Sequence, residues 1–370
     1  MTLAYRASNA HAISLAELAA TVGGQLTGGG DLLATDAGPL DDAAPGMVVL
    51  IDQADRAAQA AESPALAVVT PPGVAVEAKP QIIVADVHAA FRTVVSHFYP
   101  PYSAPATGIS PNATVDPSAQ VDDSADVHPG ATIGAEAVIG PGVTVHSGAV
   151  VSARCVVGSG STVFPNATLY HGVRIGERCL VHANAVVGAY GFGYSQSEGR
   201  HVLTAQLGAV EVGDEVEIGA GSCIDRGVYG PTRVGDGTKI DNLVQIGHNC
   251  QIGRQNLICS QVGVAGSTTT GDYVVIAGQT GIRDHVTIGD GAQLGAKCGV
   301  SNDVAPGTTM LGIPAVPERV QKLRFAAIAK LPEMRKEMKA LRKQVAVLEA
   351  AVASQASGQN SSADIADRAA

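Results

Sequence analysis

The chain has 370 residues, 44 of them glycine and none tryptophan, and its aromatic content is only 4%. Glycine at about 12%, against a usual ~7%, shows no G-X-Y period, which excludes collagen; 46% hydrophobic and 16% charged residues exclude broad disorder. A net charge of −10 disfavours nucleic-acid binding, and a chain this poor in large aromatics must fill its core with small and branched side chains.

Residues 1–106 read as a small α/β domain. The N-terminal stretch Met1-Thr-Leu-Ala-Tyr-Arg-Ala-Ser8 lacks the apolar centre of a signal peptide, and no run reaches the ~18 apolar residues needed for a transmembrane segment. Six cysteines with no C-x-x-C pair speak against a zinc ribbon or a thioredoxin-like site. These features predict a cytoplasmic, soluble protein with reduced thiols. Ser14-Leu-Ala-Glu17 is a capping box opening a helix that ends near Gly23-Gly24. Strands are expected at Met47–Ile51, Ala65–Thr70 and Gln81–Ala85, helices at Gln53–Glu62 and Val87–Phe98, and a linker at Pro100–Pro105.

From Ile109 an aliphatic side chain returns every six residues, through Val115, Val121, Val127 and Ile133 to Val187. The series resumes at Val212, Ile218 and Ile224, then runs from Val234 to Val300 with one lapse, Thr270. Gly or Asp commonly follows the aliphatic, as in Ile133-Gly134 and Ile246-Gly247, and the fifth position of each hexad is small, as at Ala113, Ala131, Cys155 and Ala167. One branched and one small inward position per hexad fit a short strand and a tight turn, with three hexads closing a triangular coil. The pattern resembles the hexapeptide-repeat proteins. That resemblance implies a mainly β chain with a left-handed parallel β-helix over residues 107–317, a handedness that periodicity alone does not supply. About ten coils at ~4.8 Å spacing would stand roughly 48 Å tall.

Within this register Cys155, Cys179, Cys250 and Cys298 all take the small inward slot, where cysteine serves as a compact hydrophobe. His128, His146 and His182 share the second slot in one vertical column with Phe164, an arrangement that stacks rings instead of converging them on a metal. Two insertions break the repeat: Val187 to Val212, which contains Gly191-Phe-Gly-Tyr194, and Tyr229–Arg233. Loops leaving a rigid solenoid are expected to wall a site.

Gly312-Ile-Pro314 is expected to close the solenoid. C-terminal helices follow over residues 318–354, with a heptad seam of Leu331, Met334, Met338, Leu341, Val345, Leu348 and Val352, long enough to join subunits. Residues 318–352 carry nine Lys/Arg against four Asp/Glu, and residues 355–370 read as a flexible tail.

A triangular prism is convex, so a catalytic pocket needs a loop or a neighbouring subunit. The strongest candidate for chemistry is Asp241-Asn-Leu-Val-Gln245-Ile-Gly-His248-Asn249. His248 is third in its hexad; Gly266 occupies the same place one coil on, and His285 lies two coils on, shifted by one residue. Two coils is roughly 9.6 Å by strand spacing, so the two histidines would have separate roles.

Asp-Asn-x-x-Gln-Ile-x-His-Asn, with Ile224-Asp-Arg-Gly227 and Gly191-Phe-Gly-Tyr194 before it, resembles the UDP-3-O-(3-hydroxyacyl)glucosamine N-acyltransferases of lipid A biosynthesis. The match covers most of the chain, including an α/β domain ahead of the solenoid, a domain order that the sibling O-acyltransferases of UDP-N-acetylglucosamine lack. The resemblance implies transfer of a 3-hydroxyacyl chain from acyl carrier protein, as its phosphopantetheine thioester and with no other cofactor, to the 2-amino group of UDP-3-O-acylglucosamine. It implies His248 as general base, the Gly266 N–H as oxyanion donor, and a homotrimer. Asp241 is expected to orient His248, His285 to bind substrate, and Gln245 and Asn249 to orient or bind; no metal is expected. Two alternatives stay open: the O-acyltransferase and a γ-carbonic-anhydrase-like solenoid.

The sequence departs from this family in two places. Where relatives carry an aromatic, an Asn and a Tyr to hold uracil, this chain reads Met47-Val-Val-Leu-Ile-Asp-Gln-Ala-Asp55, so uracil stacking is not expected there. Where relatives place methionines at the end of the acyl groove, Cys298-Gly-Val-Ser301 leaves room for a longer acyl chain. The basic C-terminal segment, including Lys322, Arg335, Lys339 and Lys343, is expected to steer the acidic acyl carrier protein.

Overall fold

The computed structural model describes residues 12–100, 106–311 and 317–366. It separates into two compact units, residues 1–105 and 106–370. The expected linker at 101–105 and the closing Gly312-Ile-Pro314 lie outside the described residues.

The first unit is a five-stranded sheet in the order Gln25–Thr27, Gln81–Ile83, Ala67–Thr70, Met47–Leu50, Asp36–Gly38, parallel except for the first pair. Alternation along the strands sends Val48, Val69 and Ile82 toward helices α1 (Leu15–Thr21) and α3 (Val87–Phe98), while Val49 and Val68 pack with Ala60 of α2 (Ala57–Glu62). The Ser14–Glu17 capping box forms: the Glu17 N–H donates to Ser14 Oγ at 3.2 Å and the Ser14 N–H to Glu17 Oε2 at 3.2 Å.

The second unit is a left-handed β-helix of hexapeptide repeats. Its two-residue strands stack in register eighteen residues apart, as in Ile133 on Val151 and Ile246 on Val264, into three parallel sheets of ten, ten and nine strands. The core is the column of repeat aliphatics together with the small fifth slot; Cys155, Cys179, Cys250 and Cys298 are buried there as free thiols, and burial pushes the Cys250 thiol up to about 11. The lapse at Thr270 has a partner. Asn256, buried in the fifth slot of the coil below, donates to Thr270 Oγ1 at 2.8 Å and to Gly271 O at 3.0 Å, while the Gly253 N–H donates to Thr270 Oγ1 at 3.0 Å.

The glycines after the repeat aliphatic serve close approach between coils. A Cβ on Gly134 would fall 2.6 Å from the Ala153 backbone nitrogen. Left-handed backbone falls instead at the fourth slot, where Glu136, Arg154, Asn249 and His285 take φ between 57° and 61°.

The C-terminal segment forms one helix, α4 (Glu318–Ala366), with Pro332 inside it. It is a single helix where several were expected, and its backbone continues past residue 354 to Ala366. The heptad-seam side chains are exposed.

Candidate active site

The insertion after Val187 leaves the solenoid at Gly188 and forms an exposed hairpin, Tyr194–Ser197 paired with Arg200–Leu203. The second insertion packs against its return: the Leu207 and Gly208 N–H groups donate to Val228 O and Gly227 O at 2.7 and 3.0 Å. Between this loop and one corner of the solenoid lies a cavity of about 790 Å³. Tyr190, Phe192 and Tyr194 wall one side; Gln245, His248, Gly266 and His285 wall the other. The structure thus brings His248, Gly266, His285 and Gln245 to one cavity.

The ring state of His248 follows from its neighbour. Asn249 Oδ1 accepts from the Val228 N–H at 3.0 Å, so that atom must be the amide oxygen. His248 Nδ1 lies 3.0 Å from the same oxygen and is therefore its donor, so that in the neutral tautomer the lone pair falls on Nε2. A Cβ on Gly266 would fall 2.7 Å from Nε2, and one on Gly191 would fall 2.5 Å from His248 Cβ, so two glycines allow the imidazole to lie between the loop and the next coil. Among the described residues nothing accepts from the Gly266 N–H.

Asp241 takes no part in this arrangement. Its carboxylate accepts from the Asn242 N–H at 2.7 Å and the Ser260 N–H at 2.9 Å, tying two coils together, and it does not line the cavity. The side chain that touches the His248 ring nitrogen is Asn249, and of the carboxylates lining the same cavity, Asp225 and Asp284, Asp225 lies within electrostatic reach of the ring. Burial raises the Asp225 pKa above the usual carboxylate value, opposed by a hydrogen bond from Gln245 and by the charge His248 carries when protonated. Asp225 lies in the Ile224-Asp-Arg-Gly227 motif, but sequence spacing gave it no partner because the pairing of Ile224 with Ile246 spans an insertion.

A second hollow of about 600 Å³ continues along the same face over Gly263, Gly281 and Gly299. A Cβ on any of the three meets nothing within 4 Å, so this stripe is open. Of the Cys298–Ser301 segment, Gly299, Val300 and Ser301 line the hollow, while Cys298 is buried at 5% exposure in the core.

His146, Phe164 and His182 stack in line with ring centroids 5.2 and 4.8 Å apart, and His128 meets His146 edge to face at 4.6 Å. The outer two imidazoles face carboxylates: His128 Nε2 lies 3.0 Å from Asp126 Oδ2 and His182 Nε2 2.9 Å from Glu217 Oε1. Burial, then repulsion from His128, lowers the pKa of His146. Among the described residues no cluster of His, Cys, Asp and Glu is arranged to hold a metal ion.

The N-terminal unit has its own cavity of about 610 Å³, lined by Leu50, Arg56, Phe91 and Tyr99. Met47, Val48 and Val49 are buried in the sheet, so the aromatic lining comes from α3 and its C-cap. Among the described residues no helix is long and apolar enough to cross a membrane.

A solenoid of hexads with a histidine-bearing cavity under an inserted loop places the chain among the bacterial hexapeptide transferases: the family model for the bacterial transferase hexapeptide (six repeats) matches residues 154–189 and 231–266. A protein of Rhodopirellula baltica named UDP-3-O-acylglucosamine N-acyltransferase is 47% identical over 375 residues, covering 94% of this chain and 97% of the relative. One of the same name from Methylobacterium sp. (strain 4-46) is 43% identical, covering 83% of this chain and 90% of the relative. The chain belongs to the UDP-3-O-acylglucosamine N-acyltransferase family. Among solved structures, a UDP-N-acetylglucosamine O-acyltransferase from Moraxella catarrhalis superposes with a TM-score of 0.43 at 25% identity, covering 58% of this chain and 77% of that one.

Proposed function

We propose that this protein moves a 3-hydroxyacyl group from the phosphopantetheine thioester of acyl carrier protein to the 2-amino group of UDP-3-O-acylglucosamine, giving the 2,3-diacyl sugar of lipid A biosynthesis. The observation that carries the reading is His248, tied through Nδ1 to Asn249 Oδ1, with its Nε2 beside the uncommitted Gly266 N–H. The amine nitrogen attacks the thioester carbonyl as Nε2 takes its proton, and the Gly266 N–H stabilises the oxyanion. The C–S bond then breaks, and the imidazolium returns the proton to the leaving thiolate. Asp225, facing the ring, favours the imidazolium while it lasts. His285 and Gln245, on the same wall, bind substrate, and the chemistry needs no further cofactor.

The acyl chain lies along the glycine stripe, where the open end at Gly299 accepts a longer chain than a methionine would. Phe192, at 86% exposure, stands out from the loop, which supports a homotrimer in which a neighbouring subunit closes the cavity. The test offers purified protein acyl carrier protein thioesters of graded length with either UDP-3-O-acylglucosamine or UDP-N-acetylglucosamine. Acylation of the amine acceptor alone supports the reading; acylation of UDP-N-acetylglucosamine would assign the chain to the sibling reaction.

A further inference from the structure

Among the described residues Arg226 is the largest fully buried side chain, at 1% exposure, and no carboxylate pairs with it. A buried guanidinium is costly unless its donors are satisfied. Here Nε donates to Gly188 O at 2.8 Å, Nη2 donates to His171 O at 2.8 Å, and Nη1 lies 2.7 Å from His171 Nε2. Arginine has donors only, so His171 Nε2 is the acceptor and that ring is neutral, with its proton on Nδ1. The Tyr190 ring covers the guanidinium with its centroid 5.8 Å away, and the Arg226 N–H donates to Ala189 O at 2.8 Å.

These contacts hold residues 188–190, the point where the loop leaves the solenoid. Gly188 adopts φ +91°, and Gly191, three residues on, lies against the His248 ring. Arg226 itself does not line the cavity; it sits one rung from His248, since Ile224 pairs with Ile246. We propose that Arg226, with neutral His171 as its acceptor, is a positioning residue that pins the Gly188–Gly191 segment against His248 and so sets the place of the catalytic imidazole and of the Tyr190 wall.

The inference rests on the acyltransfer reading for its kinetic test and on the protein alone for its second readout. Arg226→Met keeps the bulk and removes the donors; His171→Leu keeps the guanidinium and removes one acceptor; His171→Gln restores a neutral acceptor. The first two should lower kcat by about tenfold or more with both KM values within about twofold of wild type, a misplaced catalytic group with substrates still bound. His171→Gln should recover most of the loss. In parallel, ring-nitrogen NMR of 15N-histidine-labelled protein, assigned with His171→Gln and His248→Gln, should show the His248 signals displaced in Arg226→Met. Should that variant not fold, His171→Leu carries both readouts. Wild-type kcat in folded variants, or an undisturbed His248 signal, would overturn the proposal. An inactive wild type with a displaced signal would instead count against the acyltransfer reading alone.

Discussion

At the scale of single residues, the site depends on one amide. Asn249 accepts from a backbone N–H and thereby presents an oxygen, never a nitrogen, to His248, which leaves the basic lone pair on Nε2. Asn249→Ala frees the ring to take either tautomer, and steady-state kinetics should show kcat down by about 10- to 100-fold with KM little changed. Asp225 makes a second prediction. Its pKa is raised by burial, so the native state holds that proton more tightly than the unfolded chain. Stability from this group is therefore greatest at low pH and falls as pH rises from the unfolded carboxylate value through the raised native one. Asp225→Asn should flatten that slope, raising Tm at neutral pH and leaving it nearly unchanged in acid, while slowing acyl transfer. His248, Gly266 and His285 were legible from the sequence because the period of six fixes which residues share a corner. Asp241 misled because adjacency in a motif does not tell which coil a carboxylate faces: its oxygens are spent on the Asn242 and Ser260 N–H groups. Asp225 and Arg226 stand in the Ile224–Gly227 motif but received no role from the sequence, because the insertion before Val234 hides which rung they share.

At the scale of elements, most hexads repeat one solution: a two-residue strand, a branched inward residue, a small inward residue and a turn whose fourth slot is left-handed. The aliphatic register and the four inward cysteines were readable directly, since a buried slot has a fixed period. The use of the glycines was not. Those after the aliphatic, such as Gly134, avoid a clash with the next coil, while the left-handed φ falls at the fourth slot, on Gly130 and Gly148 as well as on Arg154 and Tyr273. Thr270 shows how the repeat tolerates a polar side chain. Its hydroxyl accepts from Asn256 and from the Gly253 N–H, so Thr270→Val strands donors inside the core. Denaturant unfolding should register a loss of about 1–3 kcal/mol. In Thr270→Val/Asn256→Ala the combined loss should be less than additive, because the removed amide no longer lacks a partner.

At the scale of the whole molecule, charge and shape divide the labour. The solenoid supplies a rigid face with an inserted loop, and α4 carries a surplus of Lys and Arg on a chain that is otherwise acidic. If this helix steers an acidic carrier protein, raising ionic strength should increase KM for the acyl carrier protein thioester while leaving that for the nucleotide sugar nearly constant; equal, unchanged values would remove the role. The α/β unit's place ahead of the solenoid was plain from where the repeat begins. The source of its aromatic lining was not, because Phe91 and Tyr99 come from a helix and its cap far along the chain from the Met47–Asp55 segment. The central claim is that His248 drives acylation of a sugar amine. Incubation of wild type and His248→Ala with 3-hydroxyacyl carrier protein and UDP-3-O-acylglucosamine, followed by mass spectrometry before and after mild base, tests it most directly. Wild type should add one acyl chain as a base-stable amide while the folded variant adds none; a base-labile product, or an active variant, would overturn the role of His248.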